Sequence, residues 1–191
     1  MRIILVGVSC VGKSTVGQLL ADKHGFTFID FDLEVEKRTG ERITALKNRF
    51  LTEHGYRDHV NPVLGSLLNE YSDNLIIAMT PGGMFQQYTK HYKKHDDLTI
   101  VALMDTAKNI VKRLVFYDDD SQLDPTYTVT PENYDYYYND VKEDIAYFNP
   151  KYKNAHIHLS VKGRIAEEAA EELWIQVERR CQIMMSVYFD L

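Results

Sequence analysis

A chain of 191 residues falls within the roughly 100–200 residues of a single domain, and its 45% hydrophobic and 26% charged residues exclude a disordered or collagen-like chain. Twenty-two Lys and Arg stand against 28 Asp and Glu, so the net charge is −6, without the basic excess that a nucleic-acid partner demands. Two cysteines, Cys10 and Cys181, are too few for a disulfide scaffold, and the longest apolar stretch, Ile3–Val11, is about half of the roughly 20 residues that a membrane span needs. With no charged leader in sight, a cytoplasmic protein with no membrane and no nucleic-acid partner is expected, as a monomer or weak homo-oligomer.

In chain order, Ile3 to Val6 form a β-branched run ending at Gly7, as expected of a strand buried on both faces of a parallel sheet. Helical spacing follows from Ser14, through Val16, Leu19 and Leu20, to a stop at Gly25. Further strands are predicted at 26–30, 75–79, 98–104 and 155–159, with helices at 33–38, 44–53, 58–71, 85–94, 107–116, 131–148 and 164–185. Strands that alternate with helices imply an α/β fold with a parallel sheet. In the helix at 131–148, Tyr134, Tyr138, Val141, Ile145 and Phe148 recur at helical spacing and read as a core stripe. The polar stretch at 117–131, with Asp118, Asp119, Asp120, Asp124 and Pro125, is too long for an ordinary connection and is expected to be a mobile lid on a single domain spanning 1–191.

Gly7-Val-Ser-Cys-Val-Gly12-Lys13-Ser14 fits G-x-x-x-x-G-K-[ST] and lies between a predicted strand and a predicted helix, the context that makes the pattern a phosphate-binding loop. The glycines let backbone N–H groups turn inward, the helix N-terminus adds positive potential, Lys13 can reach the β- and γ-phosphates, and the Ser14 hydroxyl can ligate Mg²⁺. Gly7, Cys10, Val11, Gly12, Lys13, Ser14 and Thr15 are therefore the expected contacts of ATP. The second strand ends Phe28-Ile29-Asp30-Phe31-Asp32, at the C-terminal sheet edge where ligands bind in such folds, and strand alternation puts Asp30 and Asp32 on one side. One carboxylate could serve the metal's hydration shell while the other orients or deprotonates an acceptor hydroxyl; Asp32 could also cap a helix that starts at Leu33.

The chain resembles the shikimate kinases. The loop is followed, in the family's order and close to its spacing, by F-I-D-F-D (28–32), E-K-R-T-G (36–40), E-H-G-Y-R-D (53–58), T-P-G-G (80–83) and N-P-K-Y (149–152). The resemblance implies a P-loop kinase fold, a three-layer α/β/α sandwich around a five-stranded parallel sheet, with ATP and Mg²⁺ as cofactors and a small-molecule alcohol as acceptor. It places Asp30 with the metal, Asp32 on the acceptor hydroxyl, Arg57 on a substrate carboxylate, Gly82 and Gly83 as backbone substrate contacts and Arg113 near the adenine. Lys13 and Asp32 are then the catalytic pair.

Three departures stand beside the matches. Pro81 replaces the first residue of the family's glycine triplet and removes an N–H donor. Phe148 stands where the family has a second carboxylate-binding arginine. Residues 114–141 contain no Lys or Arg, so the lid arginine has no counterpart. The expected activity is thus phosphoryl transfer to a small-molecule hydroxyl; the alternatives are a nucleotide-binding protein without transfer activity, or a kinase for a neutral or amine-bearing alcohol. A guanine-reading Asn-Lys-x-Asp is absent. His91 with His95, and His156 with His158, have spacings that could suit a metal, but solvated helix and sheet faces are the better reading.

Overall fold

The computed structural model describes residues 1–118 and 122–189; Asp119 and Asp120 of the acidic stretch lie outside the described residues. Five strands, β1 (Arg2–Val6), β2 (Thr27–Asp30), β3 (Leu75–Ala78), β4 (Leu98–Met104) and β5 (Ile157–Ser160), form one parallel sheet in the order β2-β3-β1-β4-β5. In register, Ile4 lies between Ile77 and Ile100, which puts the C-terminal end of β1 at the centre of one sheet edge. All five residues of β1 and all four of β3 are buried. Burial on both faces of a strand requires helices on both faces of the sheet, and the continuous Val, Ile and Leu runs fit that environment.

Among the described residues eight helices supply the cover: α1 (Lys13–His24), α2 (Phe31–Thr39), α3 (Ile43–Arg49), α4 (Glu53–Glu70), α5 (Gln86–Tyr92), α6 (Ala107–Val111), α7 (Tyr134–Tyr152) and α8 (Ala166–Phe189). Helices α1 and α8 pack together, with the His24 ring stacked on Trp174 at 3.7 Å between centroids. The aromatic stripe of α7 turns inward as expected, with Val141 buried and the other four residues packed against the core. Arg2 is buried at the start of β1, donates to both carboxylate oxygens of Asp97 at 2.6 and 2.5 Å, and also reaches the Leu68 and Tyr71 carbonyls. A buried guanidinium is tolerated only with such a full set of partners.

The helix boundaries depart furthest from the sequence-based expectation at two places. The break predicted at 54–57 lies instead at Phe50–Thr52, because the Thr52 hydroxyl accepts the Gly55 N–H at 3.1 Å and so starts α4 five residues earlier. Tyr56 and Arg57 thereby sit in the first turns of α4. Replacing Thr52 by Ala is expected to lower stability by about 1 kcal/mol, read as a drop in the urea midpoint at unchanged slope. Helix α6 stops at Val111 and does not run on to Phe116, whose ring packs against Tyr127 and Tyr137 at 5.1–5.7 Å. These contacts draw the chain away from the helix axis and anchor the acidic stretch to α7. Between α6 and α7 the described residues form no further helix, only an isolated bridge of Tyr117 with Leu123.

Candidate active site

The loop between β1 and α1 takes a shape that glycine makes possible. Gly7 has φ of 150° and lies so close to β4 that an added Cβ would sit 2.7 Å from the Leu103 carbonyl oxygen. Gly12 starts α1 with φ of 109°, a left-handed conformation that side chains resist. The Lys13 ammonium donates to the carbonyls of Gly7 and Val8 at 3.0 and 2.9 Å, which folds its side chain back over the loop. Burial lowers its pKa to about 8, against the pull of Asp32, Asp30 and Cys10.

Asp30 joins this loop to the second strand. One of its carboxylate oxygens accepts the Ser14 hydroxyl at 2.7 Å, while the other accepts the N–H groups of Asp32 and Leu33 at 3.1 and 3.4 Å and so caps α2. The capping role is therefore Asp30's and not Asp32's. Strand alternation does not relate the two either, since β2 ends at Asp30 and Asp32 lies in the first turn of α2. Released from capping, the Asp32 carboxyl shares a cleft with Lys13 and Ser14. Burial first, and then the nearby Asp30, push its pKa up to about 6, while Lys47 and Lys13 oppose the rise.

Two cavities adjoin here, sharing Ser9, Thr80 and Pro81 in their walls. The larger, of about 540 Å³, is lined by Cys10, Gly12, Lys13, Ser14, Thr15, Asp30, Asp32 and, on the far side, Arg113 and Tyr117. Gly7 and Val11 are buried beneath the loop and do not line it. Arg113 is held by Asp105 at 2.5 Å. The smaller cavity, of about 260 Å³, contains Arg57 and Gly82. Gly83 is not in its wall: its N–H bonds the Thr80 carbonyl at 2.9 Å and its carbonyl accepts the Tyr92 hydroxyl at 2.9 Å, so its backbone is spent on shaping the turn.

The smaller cavity also gathers Lys47, Asp144 and Tyr147, which no motif announced, beside residues of the 53–58 segment and Phe148. Lys47 from α3, Glu53 and Tyr56 from α4, and Asp144, Tyr147 and Phe148 from α7 complete its wall. Arg57 thus shares the wall of the smaller cavity with a second cation, Lys47. Its guanidinium lies 4.3 Å above the Phe85 ring and 3.4 Å from Glu53. Elsewhere the paired histidines go separate ways: His91 meets Asn61 at 3.0 Å, His95 meets Arg2 at 3.1 Å, His158 meets the Tyr152 carbonyl and His156 accepts the Ile100 N–H, each at 3.0 Å. Among the described residues no group of three His, Cys, Asp or Glu is placed to hold a metal ion, and no helix is long and apolar enough to cross a membrane.

A family model described as shikimate kinase matches residues 9–178. A shikimate kinase from Chlorobium luteolum is 35% identical over 113 residues, which cover 59% of this chain and 54% of the relative, so the chain spans about half of that relative's length. One from Chlorobium phaeovibrioides is 27% identical over 177 residues, covering 93% of this chain and 87% of the relative. The crystal structure of the Bacteroides thetaiotaomicron shikimate kinase shares the fold, with a TM-score of 0.75 at 21% identity, covering 93% of this chain and 98% of that one. With its parallel sheet, its phosphate-binding loop and a family match that runs over residues 9–178, the chain belongs to the shikimate kinase family.

Proposed function

We propose that this protein transfers the γ-phosphoryl group of ATP to a hydroxyl of a small molecule, as a shikimate kinase-like phosphotransferase. The observation that carries this reading is the junction of the two cavities at Ser9, Thr80 and Pro81, with Lys13 and Asp32 in the wall of the larger. One cavity suits a nucleotide along the loop, the other a compact acceptor, and phosphoryl transfer asks chiefly that the two be positioned and their charge stabilised.

In this reading the N–H groups of the loop and the start of α1 hold the β- and γ-phosphates, and Lys13 exchanges its two carbonyl partners for phosphate oxygens. The Ser14 hydroxyl and the Asp30 carboxylate are hard oxygen donors hydrogen-bonded to each other, a donor set that fits Mg²⁺, which keeps several waters and takes few protein ligands. Bound there, the ion would neutralise phosphate charge. Asp32 orients the acceptor hydroxyl and takes its proton, and Arg57, with Gly82, holds the acceptor's remote end. Arg113 borders the nucleotide's base end.

Steady-state formation of ADP, with shikimate as the first acceptor tried, tests the reading: turnover should saturate with acceptor and exceed acceptor-free hydrolysis by at least about 100-fold. Nucleotide binding without acceptor-dependent turnover would instead identify a nucleotide-binding member of the fold, the reading that a stretch 114–141 devoid of Lys and Arg favours. A pH profile adds a second check. The base must be ionised and the cation charged, so kcat/KM should rise with pH through about 6 as free Asp32 loses its proton and fall above about 8 as free Lys13 loses its own.

A further inference from the structure

In the smaller cavity two side chains of opposite charge line one space without satisfying each other. Arg57 is 13% exposed, its Nε is buried without a hydrogen-bond partner, and among the described residues its one ion pair is the long contact to Glu53 on the rim, at 3.4 Å. Asp144 is half-buried on the opposing helix and has no hydrogen bond or ion pair among the described residues. Burial holds its carboxyl above the usual range, and Asp140, one turn earlier, acts in the same direction. A carboxylate withdrawn from water without a donor is costly, as is a guanidinium with an idle N–H, so both invite a ligand.

The surroundings of each say which groups. Arg57 rests on Phe85 and lines the cavity, and a carboxylate is the partner that guanidinium geometry fits best. Asp144 is followed at i+3 and i+4 by Tyr147 and Phe148, on the same side of α7, and all three line the cavity. An acid beside aromatic faces is the usual receptor for an ammonium. Over the whole wall the charges of Lys47 and Arg57 balance those of Glu53 and Asp144, which gives a simple anion little net attraction.

We propose that the preferred acceptor is a zwitterionic alcohol, a compound with a hydroxyl, a carboxylate and a protonated amine, whose carboxylate pairs with Arg57 and whose ammonium is held by Asp144 beside Tyr147 and Phe148. This rests on the kinase reading above. In the transfer, the acceptor oxygen forms a bond to the γ-phosphorus, the bond from that phosphorus to ADP breaks, and the hydroxyl proton passes to Asp32. Asp144 is the specificity-determining residue and takes no part in the chemistry.

The test compares shikimate with the hydroxy amino acids homoserine, threonine and 4-hydroxyproline as acceptors, for the parent protein and Asp144→Asn. At least one zwitterion should exceed shikimate in kcat/KM by tenfold or more. Asp144→Asn should lower that value at least tenfold, raise the value for shikimate by removing an unpaired carboxylate, and leave the KM for MgATP in place. Titration calorimetry of the same compounds into protein saturated with MgADP reads the preference independently of turnover. Shikimate preferred by the parent protein in both measurements, or an equal loss for shikimate and zwitterion in the variant, would overturn the proposal. Absence of turnover with every acceptor, alongside a zwitterion preference by calorimetry that Asp144→Asn abolishes, would overturn the kinase reading while leaving Arg57 and Asp144 as a zwitterion-binding pair.

Discussion

Lys13→Ala is expected to reduce acceptor-dependent turnover by about 10²–10³-fold or more, the loss typical of removing one positioned donor from a developing negative charge. The structure makes the effect larger than a lost contact. The ammonium is tied to the carbonyls of Gly7 and Val8, so its removal also frees the loop that must present its N–H groups to phosphate. Nucleotide affinity should fall with turnover, measured by titration with MgATP. The global fold should persist, because the Lys13 side chain lies over the loop and outside the set of buried residues that form the core. Unchanged affinity together with unchanged turnover would remove the loop from the reaction.

Asp32→Asn should act differently. A carboxylate that serves as base contributes about 10²–10⁴-fold, so kcat should fall by that range while the KM for MgATP stays within about a factor of three. Asn is nearly isosteric, and Asp30 remains to cap α2, so a loss cannot be ascribed to an uncapped helix. The acid limb of the pH profile near 6 should disappear in the variant, because Asn does not titrate there. An active variant that keeps the limb would assign both the base and the titration to another group.

Both variants were legible as experiments from the sequence, since the loop and the F-I-D-F-D segment are contiguous strings whose chemistry is local. The fold was legible for the same reason: β-branched runs, glycine stops and alternating helices are short-range signals. What escaped is what the topology brings together. Asp144 and Tyr147 come from α7, far along the chain from Lys47 and Glu53 on α3 and α4, and nothing in their local pattern says that they share one cavity. Tyr147 sits beside the apolar stripe of α7 and reads as an ordinary surface aromatic.

The capping role, which falls to Asp30 and not to Asp32, shows a second limit. Two carboxylates separated by one residue fit either a strand edge or a helix start, and only the position of the last ladder residue decides between them. Because β2 ends at Asp30, that residue accepts two N–H groups of α2 and a hydroxyl from the loop, while Asp32 is left to the cleft. The misplaced break before α4 has the same origin: a threonine in a polar stretch is an unremarkable residue until its hydroxyl is seen to accept the Gly55 N–H.

The destination of the γ-phosphoryl group tests the account most directly. With ATP labelled at the γ-phosphorus, Mg²⁺ and the acceptor that gives the highest turnover, the expected result is label in a phosphomonoester of that acceptor, formed in step with ADP and lost in Lys13→Ala. Label that appears only as inorganic phosphate, at a rate indifferent to the acceptor, would contradict it.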